Sequence, residues 1–117
     1  MAKSMMYKKV KITVDSVESK KEFNEKQSPA GKNFLVLNIE MKNTNPSYPV
    51  ILFLQEEVSL LADKEKISPE NFKIENNLDP GQEAKGHIYF VVPESAKKFK
   101  LQFAKAGGER ADMDLKV

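Results

Sequence analysis

The sequence predicts an all-β domain, an immunoglobulin-like antiparallel β-sandwich of seven or eight strands. Three observations support this prediction. Apolar residues recur at every second position in several short stretches, which is the period of a half-buried strand. Glycine, proline, asparagine and aspartate separate these stretches at intervals typical of turns. Finally, no stretch has the strand–helix–strand pattern of a parallel sheet, so an antiparallel sandwich is favoured.

The first half of the chain contains two clear strands. Apolar residues alternate from Val10 to Val14, and the alternation slips at Val17, which indicates a β-bulge. Residues 19–32 are polar and rich in lysine, so they are interpreted as a long loop. The strand over residues 34–41 follows, and the polar segment over residues 43–47 ends it in turns that bond their own backbone.

Residues 50–63 permit two interpretations. Residues 50–54 are rich in β-formers, as a short buried strand would be. However, Ile51, Leu54, Val58 and Leu61 also follow a helical spacing. The strands on either side favour two short strands with a turn at residues 55–56, but the helix stays open.

The second half alternates turns and strands. Ser68–Glu70 is expected to form a single helical turn within a loop, and Asp79–Gly81 a turn. Gly86 predicts a bulge or a close backbone approach. Strands are expected over residues 72–78, 88–92, 99–103 and 113–117, with a stop at Pro93 and a hairpin turn at Gly107–Gly108.

Length and composition indicate one globular domain. The chain has 117 residues, of which 40% are hydrophobic and 31% charged. The prediction is a single domain over residues 8–117, preceded by residues 1–7 that are disordered or foreign to the natural protein. The 19 basic and 17 acidic side chains leave a net charge of +2, too small to predict nucleic-acid binding. There is no cysteine, no signal peptide in the sequence as it stands, and no apolar run long enough to span a membrane.

Two motifs carry a family resemblance. Residues 31–43 run from a glycine through a hydrophobic strand to Asn43, and residues 78–93 place Pro80–Gly81 before the strand that ends at Pro93. Together these motifs resemble a large bacterial family of secreted and lipoprotein immunoglobulin-like domains, which includes relatives of the mycobacterial immunoprotective extracellular protein. The turn over residues 62–66 departs from that pattern because it lacks a glycine. The resemblance implies an extracytoplasmic domain, often tethered by a lipid anchor upstream, with no catalytic residues to transfer.

No residue pattern predicts catalysis, a cofactor or a metal site. His87 is the only histidine and is expected to point outward from its strand beside Tyr89. A zinc site needs three or four ligands, which carboxylates would have to complete. The internal methionines, Met41 and Met113, fall in phase with core rows, where packing explains them better than copper binding. The acidic pairs at residues 56–57 and 112–114 lack the density of a calcium loop.

Partner binding is the remaining hypothesis. Lysines at residues 8–11 and 97–100 are interpreted as protection of strand edges against aggregation. The inter-strand loop carries Tyr48 and Pro49, a tyrosine between prolines, and tyrosine is a frequent interface anchor. A tyrosine that merely caps the core is the competing interpretation. The candidate partner-binding residues are Tyr48, Pro49, His87 and Tyr89.

The sequence therefore predicts a non-enzymatic interaction or structural module of a bacterial extracytoplasmic protein. The expected partner is a protein or another cell-envelope component, with no nucleic acid involved. Two alternatives stay open, a small metal or ligand carrier of the envelope and a cytosolic regulatory binding domain. The oligomeric state and the biological process are not encoded in any motif.

Overall fold

Two antiparallel sheets pack face to face in the computed structural model, which describes residues 3–105 and 108–116. In chain order the elements are β1 (Lys3–Tyr7), β2 (Val10–Lys20), β3 (Glu22–Phe23), β4 (Lys26–Gln27), β5 (Lys32–Asn43), β6 (Val50–Ile51), α1 (Leu54–Glu57), β7 (Val58–Ala62), β8 (Glu65–Ile67), β9 (Asn71–Lys73), β10 (Asn77–Leu78), β11 (Glu83–Pro93), β12 (Phe99–Ala104) and β13 (Arg110–Leu115). The first sheet has the order β1-β2-β5-β11-β9 and the second β13-β12-β7-β8. Two small ribbons, β6-β10 and β3-β4, complete the fold.

The predicted antiparallel β-sandwich is confirmed, and the number of strands differs. Within the described residues the two main sheets hold nine strands, against the seven or eight expected. The additional strands are β1 and β8, which lie in segments interpreted as disordered and as loop. Instead of a helical turn, Ser68–Glu70 follows β8 as irregular chain. The Glu70 N–H donates to the carbonyl oxygen of Tyr89 in β11 at 2.8 Å, so the chain is already bound to the first sheet where β9 begins.

Residues 3–7, which belong to the segment predicted to be disordered or foreign to the natural protein, form a strand in the structure. These residues form β1 and pair with β2 from Lys3 opposite Val14 to Tyr7 opposite Val10. The connecting residues, Lys8 and Lys9, both have positive φ (51° and 62°), as a two-residue hairpin turn requires. The sequence did not signal this turn because neither position carries glycine or asparagine. Residues 1 and 2 lie outside the described part of the chain.

The strand predictions of the first half are confirmed with one extension. A register shift between Val14 and Ser16 is the bulge that the phase slip indicated. The segment over residues 19–32 is not one long loop, because β2 continues to Lys20 and a small hairpin, β3-β4, follows it. In that hairpin Asn24 and Glu25 take the positive φ values.

The core lies between the inner faces of the two sheets. The predicted inward row of β5 is fully or almost fully buried, and consists of Leu35, Leu37, Ile39 and Met41. The close approach predicted at Gly86 is confirmed: a Cβ there would lie 2.0 Å from the carbonyl oxygen of Lys73. The residue must therefore be glycine for β9 to pair beside β11.

Both interpretations of residues 50–63 contribute to the observed structure. Two short strands, β6 and β7, are present as favoured, and the expected turn between them is the single helical turn α1. The turn spans only four residues because Val58 returns to extended backbone (φ −104°, ψ 135°) and pairs with Phe103 of β12. The turn-and-two-strands prediction is thus confirmed, and the long helix is not formed.

Candidate functional site

An exposed apolar row lies at one end of the sandwich, on and beside β6. Of the four large hydrophobic side chains that are exposed in the described residues, three fall within six positions of each other: Tyr48 (68% exposed), Ile51 (44%) and Phe53 (54%). Pro49 is also exposed. These four residues are called the exposed row. Single exposed hydrophobic residues are ordinary, but a contiguous group is typical of an interaction surface.

Strand geometry accounts for the row. Along β6 and its extension, Val50 and Leu52 face inward, and Leu52 is fully buried. Pro49, Ile51 and Phe53 hold the alternate outward positions. On the outer face of β5 the corresponding outward positions carry polar residues such as Asn38 and Glu40. In contrast, the outward side of β6 is apolar, and no described part of the chain packs over it.

The loop that presents Tyr48 is held by asparagine side chains. Asn43 is fully buried, and its Nδ2 donates to the carbonyl oxygens of Tyr48 and Leu78, both at 3.0 Å. Its Oδ1 accepts from the backbone N–H of Asn45 at 2.9 Å. The Oδ1 of Asn45 in turn accepts from the backbone N–H groups of Ser47 and Tyr48. These bonds fix the loop backbone, so Tyr48 is exposed on an ordered loop and does not cap the core.

The backbone N–H of Phe53 is held by the buried carboxylate of Glu57. Glu57, only 7% exposed, accepts from the backbone N–H of Phe53 with Oε2 at 2.8 Å. Its Oε1 accepts from the Tyr7 hydroxyl at 2.6 Å and lies 2.8 Å from Lys8 Nζ. The reach of Glu57 back to Phe53 resembles a helix capping box, which satisfies an N–H group at the start of α1. A buried carboxylate is tolerated here because a cation and two donors satisfy it.

This network changes the acidity of its members. Burial alone would raise the pKa of Glu57, but hydrogen bonds from Lys8, Tyr7 and the Phe53 N–H outweigh it, and the pKa is lowered. Burial of the hydroxyl and its bond to the Glu57 carboxylate raise the pKa of Tyr7. Glu57 is therefore ionised and Tyr7 neutral at physiological pH.

A shallow pocket of about 310 Å³ opens beside Phe53. Its lining comprises Lys8, Phe53, Glu56, Glu57, Ala104 and Lys105. Two lysines and two glutamates balance in formal charge, so the pocket offers an apolar wall and no net electrostatic attraction for an ion.

The other two predicted site residues lie elsewhere, on the outer face of the first sheet. His87 points outward as expected, and its ring meets the edge of Phe23 at a centroid distance of 5.2 Å. Tyr89 is only 4% exposed and contacts Phe23 (5.1 Å) and Phe34 (5.8 Å). Its assignment as a partner-binding residue does not fit this position, because the β3-β4 hairpin places Phe23 against it. Tyr48 and Pro49 are thus not brought together with His87 and Tyr89.

The described residues show no feature of a metal site. In residues 3–105 and 108–116 no group of three or more histidine, cysteine, aspartate or glutamate side chains could hold an ion. The adjacent pair at residues 56 and 57 is split, with Glu56 exposed and Glu57 buried. In this part of the chain no helix is long and apolar enough to cross a membrane.

Sequence reasoning missed four residues of this end of the molecule. From the sequence, Ile51 and Phe53 are both expected in a short buried strand, and Ile51 alternatively in a helical stripe. Their outward phase relative to Val50 and Leu52 was the available signal. Tyr7 lay in the segment interpreted as disordered, and Glu57 was weighed only as half of an acidic pair. Their contact joins positions fifty residues apart, and no local pattern encodes it.

The fold and its exposed row define the class of protein, a small β-sandwich with an exposed apolar row at one end. Comparison with family models identifies the family: residues 2–112 match the Domain of unknown function (DUF4352), and the chain belongs to it. No curated protein matches the sequence.

Solved structures share the fold at low sequence identity. A candidate lipoprotein of Bacillus subtilis aligns with a TM-score of 0.75 and 15% identity, over 97% of this chain and 38% of that one. An uncharacterized β-sandwich protein of Clostridium difficile 630 gives 0.63 and 16%, over 97% and 90%. A functionally unknown protein of Listeria monocytogenes EGD-e gives 0.68 and 13%, over 98% and 81%. This chain thus spans well under half of the Bacillus subtilis protein, and these similarities show the fold alone. The relation to the mycobacterial protein stays a prediction.

Proposed function

We propose that the chain is a non-enzymatic binding module of a bacterial extracytoplasmic protein, and that it binds a protein partner through the exposed row. The observation that carries this proposal is the run of outward apolar residues around β6, which the fold leaves uncovered. Aromatic residues are enriched among those that contribute most to protein interfaces, and Tyr48 and Phe53 supply two of them.

The size of the row favours a small, reversible contact. Its exposed apolar surface is on the order of 300 Å², which matches the functional patches of monomeric proteins. A stable dimer buries about 800 Å² on each partner, so the row alone is too small for a permanent complex with a second copy.

The direction of the edge strands β1 and β13 also supports the exposed row as the binding surface. Lys3 Nζ donates to the carbonyl oxygen of Asp114, so β1 starts where β13 ends. At the other ends of these strands, the Lys8 N–H bonds Glu109, and the Lys9 carbonyl accepts from Thr44 in the Tyr48 loop. The first residue of β1 and the last residues of β13 therefore lie away from the exposed row. A lipid anchor or a further domain there would keep the row accessible.

The extracytoplasmic location rests on two likenesses. One is the resemblance of the two sequence motifs to secreted and lipoprotein domains. The other is the shared fold with the candidate lipoprotein of Bacillus subtilis. Location and binding are separate parts of the proposal, and fractionation of the native host cell tests the first.

Site-specific photo-cross-linking tests the binding part. A photoreactive phenylalanine is placed at Tyr48, at Phe53, or at Lys85, an exposed control position on the outer face of the first sheet. We expect one identical envelope protein to be cross-linked from positions 48 and 53 and not from position 85. Equal labelling from all three positions, or no product from positions 48 and 53, would contradict the proposal.

A further inference from the structure

We infer that Glu57 is a positioning residue, which holds Phe53 in the exposed row and ties the row to the N-terminal hairpin. The inference deepens the proposed function and rests on it in one respect, namely that Phe53 contacts the partner. The geometric part concerns this chain alone.

The position of Phe53 depends on bonds that its own side chain does not make. The ring is more than half exposed, so packing contributes little to its orientation. Its backbone is bound on one side through its carbonyl oxygen, which accepts from the N–H groups of Glu56 and Glu57 in α1. On the other side its N–H donates to the Glu57 carboxylate. The same glutamate therefore holds Phe53 at both its N–H and its carbonyl group.

Glu57 is in turn fixed by residues of the N-terminal hairpin. The hydroxyl of Tyr7 and the ammonium group of Lys8 both contact Oε1. Tyr7 is fully buried, and its ring packs against Phe103 at 5.6 Å. A hydrogen bond to a charged acceptor is about twice as strong as one between neutral groups. The network therefore connects β1 to the start of α1, and through it to the exposed row.

The arrangement is more elaborate than the fold needs. A buried ion pair can often be replaced by apolar residues of similar volume without loss of stability. Capping a four-residue helical turn would require only one acceptor. The additional contacts of Glu57 with Tyr7 and Lys8 fix the position of the carboxylate. The carboxylate in turn fixes the position of the Phe53 N–H that it binds. An exposed anchor that is already ordered loses less entropy when it binds.

Amide hydrogen exchange of the whole chain, measured by NMR, tests the geometric part without any partner. In Glu57→Gln the charged acceptor is lost while the side-chain volume is kept. We expect exchange at the Phe53 amide to become about tenfold faster. The Leu52 amide, which bonds Asn76 instead, is the internal reference and should change less than about twofold. Tyr7→Phe removes only the hydroxyl, and we expect about a threefold increase at Phe53.

Glu56→Gln is the matched control, because it removes one negative charge from the same turn without touching the Phe53 N–H. An unchanged Phe53 rate in Glu57→Gln would overturn the inference. So would a parallel rise at Phe53 and Leu52, which would indicate general loosening. The smaller Tyr7→Phe change keeps the test available if Glu57→Gln does not fold.

The binding part is read from cross-linking at position 48 in the Glu57→Gln background. We expect the yield to fall about threefold, since a less ordered anchor binds less tightly. An unchanged yield would overturn this part while leaving the exchange result intact. If the unmodified chain gives no cross-link at all, the proposed function fails, and an altered Phe53 exchange rate would still show that Glu57 positions the residue.

Discussion

Two regions of the molecule carry aromatic residues that face outward, and they differ in whether other parts of the chain cover them. On the outer face of the first sheet, Phe34, Val36 and Tyr89 are buried, with Phe23 and Val91 packed against them. These five residues are called the covered cluster. Phe23 comes from the β3-β4 hairpin, which folds over the sheet. At the exposed row no described segment plays that part, and Tyr48 and Phe53 stay open to solvent.

The comparison separates covered from exposed aromatic residues where the sequence could not. Tyr48 and Tyr89 are both tyrosines at outward positions, and both were candidate partner contacts. The ring of Tyr89 is packed within the chain, because aromatic rings from two other strands contact it. Tyr48 contacts the chain through its backbone bonds to Asn43 and Asn45. An outward aromatic residue therefore indicates a partner surface only when the protein's own loops leave it uncovered.

The largest expected effect is in the covered cluster. Tyr89→Ala removes a buried ring from contact with Phe23 and Phe34, and we expect it to lower the free energy of unfolding by about 3 kcal/mol. Tyr48→Ala is the matched substitution in the exposed row, with an expected change within about 0.5 kcal/mol. Urea denaturation of both variants measures the difference. Similar losses in the two variants would mean that Tyr48 packs as Tyr89 does.

A smaller effect is expected when the cover is removed. Phe23 is half-buried, so Phe23→Ala should lower the free energy of unfolding by about 1 kcal/mol. The variant should also bind more of a hydrophobic dye such as ANS, because Phe34 and Tyr89 become accessible. Unchanged dye binding would show that the hairpin does not cover the cluster in solution, and the contrast between the regions would then weaken.

The sequence predicted the sheets well because their signal is local. Period-two alternation identified β5, β11, β12 and β13, and the phase slip at Val17 located the bulge. Turn chemistry at Asp79–Gly81 was also sufficient, and Gly81 has the positive φ that its position requires (78°). Asn43 was recognised as part of a motif, although its role as the buried anchor of the Tyr48 loop became visible only in the structure.

The candidate site was less predictable because its contacts are non-local. The hairpin turn at Lys8 and Lys9 adopts positive φ at two lysines, which no turn rule favours. Without that turn, β1 could not be recognised, and Tyr7 had no expected partner. From the sequence alone, Glu57 is expected to be exposed to solvent, and its contacts with Tyr7 and Lys8 become visible only in the structure. The tertiary arrangement, and not any residue pattern, creates the network.

An intermediate effect of pH is expected from His87, beside the covered cluster. Burial, and then the positive charge of Lys73, lower the pKa of His87 below its usual 6.5. The unfolded chain therefore takes up a proton first as the pH falls. The free energy of unfolding should decrease as pH is lowered from about 7 through 6.5 toward the folded-state pKa. Urea denaturation at several pH values measures this slope, and His87→Gln should flatten it.

Glu57 acts in a different pH window and provides the control. Its pKa is lowered from 4.5 in the folded state, so the stabilisation it gives is complete above that value and lost at lower pH. The decrease below about pH 4.5 should therefore persist in His87→Gln. A slope between pH 7 and 5 that is unaffected by His87→Gln would indicate that the imidazole is not desolvated by the hairpin.

The smallest expected effect on stability belongs to the exposed row itself. In Tyr48→Ser/Phe53→Ser, both aromatic rings are replaced by small polar groups, and the backbone bonds of Asn43, Asn45 and Glu57 are kept. We expect the free energy of unfolding to change by less than about 1 kcal/mol, since neither ring is packed against the core. Calorimetry of this variant beside Phe34→Ser, which alters the covered cluster, measures the contrast.

A near-neutral result for the exposed row would sharpen the comparison with the covered cluster. Residues that contribute nothing to stability have no structural reason to be apolar at outward positions, and a binding role then remains to explain them. A loss of several kcal/mol would contradict this reasoning, because it would place the two rings within the packed structure. The row would then be an extension of the core, and the proposed partner surface would have to be abandoned.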